Sequence, residues 1–240
     1  MADHQWQFRL SGDEFDVLGL AELFASEAKI TRGADGTYLD MSLPYGPDQA
    51  QAAWSAAEDL LAKLNAIARI IYGNHENVGL AAIGLTDPNG GPLQQFMLGV
   101  GGIRSRARVS AVGVVTGGSE GSPTPTKLLG DKFLEAADKN EHIDRALYLF
   151  GSLPSDWRGL YMVLEAAADA NGGKSGLIAK NWVPQGRIES FRRTANSYKA
   201  IRRAARHGSI RQGIVSATIT LSDAYQMIRT ILENWADEIA

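Results

Sequence analysis

The sequence contains no cysteine. This absence excludes disulfide bonds, thiolate metal sites and a cysteine nucleophile, and it gives no support for a secreted protein. Histidine is scarce, with four residues in a chain of 240: His4, His75, His142 and His207. No uncharged stretch reaches the roughly 18 residues that a membrane span requires, and the first residues lack the basic and apolar regions of a signal peptide. We therefore expect a cytoplasmic protein that does not engage a membrane.

Charge is nearly balanced over the whole chain but unevenly distributed along it. The net charge is −3, so the molecule as a whole has no strong preference for polyanions. Residues 1–60 hold eleven acidic and three basic residues, whereas residues 181–211 hold eight basic residues and one acidic residue. Opposed blocks of this kind indicate either a match within the chain or two separate partner surfaces.

The first 115 residues have the patterns of short strands and one long helix. Alternation of apolar and polar residues predicts strands. The dipeptide Gly12-Asp13 indicates a turn after the first strand, and Asp35-Gly36 indicates a turn before the second. After Pro47, apolar residues repeat at helical spacing, and Gly73 is typical of a helix end. The predicted strands cover residues 6–12, 37–42, 78–86, 92–102 and 106–115, and the predicted helix covers 47–71.

The second half of the sequence is predicted to be helical. It follows a small, polar, proline-bearing segment, TGGSEGSPTPTK (116–127), which is typical of a flexible loop or linker. We predict an α+β fold: an N-terminal antiparallel β meander with one long packed helix over residues 1–115, followed by a mainly α-helical C-terminal region over 128–240. Apolar spacing predicts its helices over roughly 128–140, 141–151, 155–170, 187–206 and 222–238.

The tetrapeptide Gly73-Asn74-His75-Glu76 resembles the metal-binding Gly-Asn-His-Glu element of calcineurin-like metallophosphoesterases. In that family the element follows a buried strand, whereas here it follows an amphipathic helix, and the companion Asp-x-His and Gly-His-x-His elements are missing. We therefore interpret Gly73 and Asn74 as a helix C-cap, with His75 near the negative end of the helix dipole.

Two further segments resemble catalytic or nucleotide-binding motifs. Residues 117–121 fit the Gly-x-Ser-x-Gly nucleophile elbow, but the prolines that follow favour extended chain where an elbow requires a helix. Residues 171–176 contain the Gly-Lys-Ser end of a phosphate-binding loop, but Ala168 occupies the position of its first glycine and the preceding run is helix-like. We interpret the first as a loop and the second as a glycine-rich helix stop.

The strongest functional signal is an Arg-rich segment, predicted to be helical, at about residues 187–211. On a continuous helix with 100° per residue, four of its cations would lie within about 60° of one another: Arg192, Lys199, Arg203 and Arg206. Such a concentration of like charge calls for an anionic counterpart, and Arg suits bidentate contact with oxyanions. The candidate anion- or partner-binding residues are Arg192, Arg193, Lys199, Arg202, Arg203, Arg206 and His207.

Two short motifs in this region also resemble a known group of proteins. Residues 191–196 read Phe-x-x-Thr-Ala-Asn and residues 205–208 read Ala-Arg-His-Gly, a combination that resembles the C-terminal half of a group of uncharacterised bacterial proteins. The resemblance implies no activity. The same residues have a structural interpretation, in which Asn196 interrupts the helix and residues 205–208 form its C-terminal turn.

These observations favour a non-catalytic binding or assembly protein. Its Arg-rich helix is expected to engage an acidic protein surface, on this chain or on a partner, or a phosphate-bearing ligand. Nucleic acid is a less favoured partner because no helix-turn-helix, zinc or stacking motif accompanies the charge. Homo-oligomers are compatible with the pattern, and we expect no cofactor, metal site or catalytic residue. The alternative is a hydrolase of the phosphoesterase type centred on His75 or His207.

Overall fold

The computed structural model describes residues 4–24, 30–73, 75–86, 94–96, 125–206 and 218–240. Contacts divide the chain into two compact units, residues 1–131 and 132–240. The first combines an antiparallel sheet with helices and the second is helical, which confirms the predicted α+β class. Every helix in the described part of the chain is too short or too polar to cross a membrane. Residues 116–124 of the predicted linker, which covers residues 116–127, lie outside the described residues.

In the described residues, the first unit contains one antiparallel sheet of five strands. Their order in the sheet is β2-β3-β1-β4-β5, so the first strand lies at the centre and only two pairs of sequential strands are neighbours. The central strand alternates, with Trp6, Phe8 and Leu10 buried and the residues between them more exposed. This alternation places its apolar side chains on one face of the sheet. The strands are β1 (His4–Ser11), β2 (Ile30–Arg32), β3 (Thr37–Leu43), β4 (Gly79–Thr86) and β5 (Gln94–Phe96).

The long predicted helix is confirmed as α2 (Ala50–Tyr72), which follows a 3-10 turn at Pro47–Gln49. It ends at Gly73, whose φ of 79° is left-handed and whose N–H donates to the carbonyl of Arg69. Its apolar face packs against β1, β3 and β4, and the ring of Trp54 lies 6.5 Å from that of Phe8. The buried face of α2 therefore covers the apolar side of the sheet.

A helix that the sequence did not predict, α1 (Glu14–Phe24), packs against α2. The Gly12-Asp13 dipeptide suggested a turn between strands, but the Asp13 carboxylate accepts a hydrogen bond from the N–H of Phe15 at 2.9 Å. A side chain that bonds the N–H two residues on is the geometry of a helix start. Leu20 and Phe24 bury completely on the inner face of α1.

The second unit is a group of packed helices. Among them α5 contacts α4, α6, α7 and α9, so it is the central element of the unit. The ring of Phe191 stacks between Trp157 at 5.9 Å and Tyr161 at 5.8 Å. The helices are α3 (Pro125–Lys139), whose last eight residues belong to this unit, α4 (Glu141–Ser152), α5 (Trp157–Ala170), α6 (Lys174–Ala179), α7 (Gln185–Asn196), α8 (Tyr198–Ile201) and α9 (Leu221–Ile239).

The single helix predicted over residues 187–206 is wrong. Its first part, α7, ends at Asn196, and Ser197 has an extended backbone with φ −96° and ψ 107°. The Asn196 side chain donates to the carbonyl of Arg192 at 2.8 Å, and the Ser197 hydroxyl accepts from the N–H of Ala200 at 3.3 Å. These bonds compete with helical pairing and start the short helix α8 in a new direction. The interruption assigned to Asn196 is thus confirmed, and the four-cation stripe of a continuous helix does not exist.

Candidate functional site

The basic residues after the break lie on a compact segment, residues 197–205, which contains α8 and a 3-10 turn at Arg202–Ala204. We call this segment the basic loop. Its two ends are held together because the N–H of Arg206 donates to the carbonyl of Ala195 at 2.9 Å. From α5, the guanidinium of Arg158 donates to the carbonyls of Arg203 at 3.4 Å and Ala205 at 3.3 Å. At the start of the loop, Ser197 is completely buried. The basic loop is therefore anchored at its base by one main-chain hydrogen bond and by the side chain of Arg158.

Three cations are displayed on the basic loop: Lys199, Arg202 and Arg203 are exposed. In the described part of the chain, none of the three forms an ion pair. Arg202 has φ 54° and ψ −128°, a conformation that glycine adopts readily and other residues rarely. Holding a non-glycine residue there costs about 1–3 kcal/mol. The loop thus carries strain at an exposed arginine.

The other cations predicted as binding residues have different surroundings. Arg193 is exposed and donates to the carbonyl of Glu189, one helical turn earlier. Arg206 pairs with Glu165 at 2.9 Å, and its guanidinium carbon lies 4.3 Å from the centre of the Tyr161 ring. The Nε of Arg192 donates to the Tyr161 hydroxyl at 3.4 Å. Two of the predicted cations therefore converge on one tyrosine, while His207 lies outside the described residues.

Tyr161 is the centre of a small polar cluster that the sequence did not predict. Its side chain is buried, and its hydroxyl oxygen accepts hydrogen bonds from Arg192 and from the Asn196 amide, both at 3.4 Å. Burial raises the pKa of Tyr161, but these two hydrogen bonds and the nearby guanidinium groups outweigh it, so that the pKa is lowered. The cluster therefore favours negative charge at the phenol oxygen.

Beside this cluster, α5, α6 and α7 line a partly open cavity of about 90 Å³. Its polar lining consists of Tyr161, Glu165, Lys174 and Arg192. Lys174 approaches Glu189 at 3.5 Å, and Glu165 pairs with Arg206. Arg192 forms no ion pair within the described residues. The apolar part of the lining consists of Leu164, Ala168, Leu177 and Ile188.

His75 lies in the first unit and is enclosed, with 1% of its side chain exposed. Its Nε2 lies 3.0 Å from Oδ1 of Asn65. The same Oδ1 accepts from the N–H of Val78 at 3.0 Å, and the Asn65 amide nitrogen donates to the carbonyl of Val78 at 2.8 Å. These two main-chain bonds fix the amide orientation, so Nε2 of His75 must carry a proton and donate it.

The second nitrogen of His75 faces a carboxyl group. Its Nδ1 lies 3.2 Å from Oδ1 of Asp16 on α1, without the alignment of a hydrogen bond. Burial, together with the positive charge of Arg69, lowers the pKa of His75 to about 4. A neutral imidazole that donates through Nε2 turns its Nδ1 lone pair toward Asp16. Both nitrogens therefore face protein atoms, and the ring links α1, α2 and the start of β4.

The remaining motifs have structural explanations or lie beyond the described residues. Residues 171–176 end α5 and begin α6, with Gly172 and Gly173 at φ 76° and 89°. The N–H of Gly173 donates to the carbonyl of Ala168, which confirms a glycine-rich helix stop. The Gly-x-Ser-x-Gly segment, residues 117–121, lies outside the described residues. In the part of the chain that the structure describes, no three histidine or acidic side chains group closely enough to hold a metal ion.

A broader groove of about 390 Å³ lies on the sheet of the first unit. Its polar groups are largely engaged with one another. The Arg9 guanidinium donates to the carbonyl of Asp35 at 2.7 Å, and the Asp40 carboxylate accepts from Thr31 at 2.7 Å and from Gln7 at 3.0 Å. Because these hydrogen bonds are already made, the groove offers a ligand few unused polar groups.

Comparison with protein-family models, with curated proteins and with solved structures finds no match to this chain.

Proposed function

We propose that this chain is a non-catalytic binding protein whose basic loop engages an acidic protein surface. The observation that carries the proposal is the strained backbone of Arg202 on an exposed loop with three cations. Strained residues persist only where the surrounding structure over-determines them, and they concentrate at sites of function. Here, a main-chain hydrogen bond and the Arg158 side chain hold the base of the loop. The exposed side chains that the loop presents include Lys199, Arg202 and Arg203.

The electrostatics of the loop also support a polyanionic partner. Lys199, Arg202 and Arg203 lie within five residues of one another and repel, and no carboxylate of the described residues pairs with them. An opposing row of carboxylates would relieve this repulsion, and the guanidinium groups would contact those carboxylates in a bidentate manner. The loop thus has the charge and the exposure of an interface rim.

The sequence itself supplies one candidate partner, a second copy of the chain. Exposed acids lie on α1 and α2, including Glu14, Glu22, Glu58 and Asp59. Pairing of this surface with the basic loop of another copy would produce an oligomer that weakens with salt. The proposal places this binding in the cytoplasm, a location with which the absence of cysteine is compatible.

The position of His75 favours this proposal over hydrolysis. Its side chain is enclosed, and both ring nitrogens contact Asn65 or Asp16. A general base or metal ligand must reach its substrate or metal through one free nitrogen. The enclosed ring supports a structural role, while the alternative centred on His207 falls outside the described residues.

The test compares two double charge reversals in the full chain. Lys199→Glu/Arg203→Glu alters the basic loop, and Lys139→Glu/Arg145→Glu alters exposed cations elsewhere in the same unit by the same net charge. Binding to poly-L-glutamate is measured by fluorescence anisotropy. We expect the loop variant to weaken binding by about tenfold or more, since a hydrogen bond to a charged group contributes about 1.5 kcal/mol or more. Equal weakening by both variants would refute a specific role for the loop.

Sedimentation velocity then identifies the partner. At ionic strengths of about 0.01 M and 0.15 M, the screening length falls from about 30 Å to about 8 Å. Self-association that disappears at the higher salt and in the loop variant would identify a second copy as the partner. Binding of duplex DNA or inorganic phosphate that the loop variant abolishes, with poly-L-glutamate left unbound, would overturn the assignment to a protein surface.

A further inference from the structure

The cavity beside Tyr161 has an unusual combination of neighbours. The apolar part of its lining consists of Leu164, Ala168, Leu177 and Ile188, and four polar side chains complete the lining. Ligand sites in proteins are commonly built in this way, with apolar walls and a few convergent polar groups that fix orientation. At about 90 Å³, the cavity suits a ligand of only a few non-hydrogen atoms.

The hydrogen bonding of Tyr161 is incomplete within the described residues. Its hydroxyl oxygen receives two N–H groups, from Arg192 and Asn196, but the phenol proton has no acceptor there. A hydroxyl can donate one hydrogen bond as well as accept. Because the side chain is buried, an unmade bond at this position is costly. A ligand that accepts a hydrogen bond would complete the network.

The charges around the cavity define the ligand further. Arg192 is half-buried, its Nε is used by Tyr161, and it forms no ion pair in the described residues. Lys174 adds a second positive charge at the lining, although it also approaches Glu189. Glu165 is the one acid among the described lining residues, and Arg206 partly neutralises it. This balance suits a single negative charge, whereas Glu165 would repel the second charge of a phosphate dianion.

We propose that this cavity is a binding site for a small monocarboxylate with a short alkyl group. One carboxylate oxygen accepts a hydrogen bond from the Tyr161 hydroxyl, and the other accepts a hydrogen bond from the guanidinium of Arg192. The alkyl group contacts the apolar lining around Leu177. The site is separate from the basic loop, so either proposal stands if the other fails.

The experiment titrates the full chain with sodium propionate and follows amide NMR signals of Ala168 and Leu177. Sodium chloride at equal ionic strength is the salt control, and inorganic phosphate is the competing anion. Propionate has only five non-hydrogen atoms, so the expected dissociation constant is about 1 mM. We expect saturable shifts in that range with propionate and none with chloride.

Three substitutions assign the contacts. Arg192→Gln removes the guanidinium and should weaken binding by at least about tenfold, since hydrogen bonds to charged groups are the stronger kind. Tyr161→Phe removes one hydroxyl but keeps the ring that Phe191 and Arg206 contact, and a smaller weakening of about fivefold is expected. Arg193→Gln, one residue away but outward-facing, is the matched control and should leave propionate affinity unchanged.

Ionisation of Tyr161 provides an independent measurement. A bound anion disfavours the tyrosinate, so propionate should shift the earliest tyrosine ionisation, seen by ultraviolet absorption, to higher pH. Absence of saturable shifts at Ala168 and Leu177 would overturn the site. Tighter binding of phosphate than of propionate would overturn the carboxylate assignment, and equal weakening by Arg193→Gln would reveal non-specific attraction to surface cations. Amide spectra of each variant establish that it is folded.

Discussion

Replacement of Asn65 by alanine should destabilise the first unit more than any comparable change at a surface amide. The Asn65 side chain bonds three groups at once: the N–H and C=O of Val78 and Nε2 of His75. Asn65, His75 and Val78 are at most 6% exposed, so water does not reach these groups in the native structure. Alanine at position 65 would leave all three without partners.

The size of the effect follows from those three bonds. A buried donor or acceptor that loses its partner costs about 1–3 kcal/mol. Three such groups therefore lower the free energy of unfolding by about 3 kcal/mol if each costs the lower value of about 1 kcal/mol. The lower value applies because water that enters the site would satisfy part of the lost bonding. Since 1.4 kcal/mol corresponds to a factor of ten, local opening around Val78 should become about a hundredfold more frequent.

Native-state hydrogen exchange measures this quantity at a single residue. The amide of Val78 is the informative probe because it donates directly to Asn65, and amides of α2 and β4 report opening of the wider unit. A residue-resolved measurement is preferable to a single denaturation curve, because a chain with two compact units need not unfold in one step. Asn234→Ala is the control, since its amide makes one hydrogen bond, to the carbonyl of Thr230 at 2.8 Å, and is only half-buried.

A small effect would refute this reasoning. If Asn65→Ala left Val78 exchange within about threefold of the original chain, the amide would not link α2 to β4, and the orientation assigned to His75 would lose its basis. If Asn234→Ala had an effect as large as Asn65→Ala, burial of several bonds would not be the deciding factor. The expectation that Asn65→Ala has a larger effect than Asn234→Ala rests only on the number and burial of the hydrogen bonds at each site.

Three further predictions concern single side chains. The imidazole of His75 should stay neutral, protonated on Nε2, down to pH 5 in nitrogen NMR spectra, because its pKa is lowered to about 4; titration near 6.5 would contradict this. Arg202→Gly should raise the unfolding free energy of the second unit by about 1 kcal/mol, because relief of about 1–3 kcal/mol of strain exceeds the entropy cost of glycine. Ala200→Gly in α8 is the control and should lower the unfolding free energy of the second unit. A loss of stability in both variants would show that Arg202 is unstrained. Tyr161→Phe should delete the tyrosine ionisation that occurs at the lowest pH, because the pKa of Tyr161 is lowered, and an unchanged titration would count against the cluster.

Periodicity predicted the elements that are long and amphipathic. The alternation in β1 and the helical spacing of α2 each repeat over enough residues that local pattern and burial agree. The same signals placed most helices of the second unit to within a few residues. The helix α1 was missed because Gly12-Asp13 indicates a turn, and whether a helix or a strand follows depends on packing against α2.

Local sequence also indicated that two segments resembling catalytic or nucleotide-binding motifs have structural roles. Ala168 before the Gly-Lys-Ser triplet, and the helix before Gly73, predicted structural roles that residues 171–176 and Gly73 have. The concentration of cations after residue 187 was equally plain from the sequence. The geometry of these cations could not be predicted from the sequence, because Asn196 and Ser197 end α7 and place Lys199 and Arg203 on the basic loop. Arg192 and Arg206 instead contact Tyr161.

By itself, then, the sequence determined the α+β class, the long helix and the region where positive charge accumulates, since each depends on residues that are neighbours along the chain. Tertiary structure alone decided that Asp16, Asn65 and His75 meet, and that Arg192, Arg206 and Tyr161 form one cluster beside a cavity. The physical reason is that these groups are separated by ten to about sixty residues. Only the packing of whole helices brings them within hydrogen-bonding distance, and no local periodicity records which polar groups will then share a buried site.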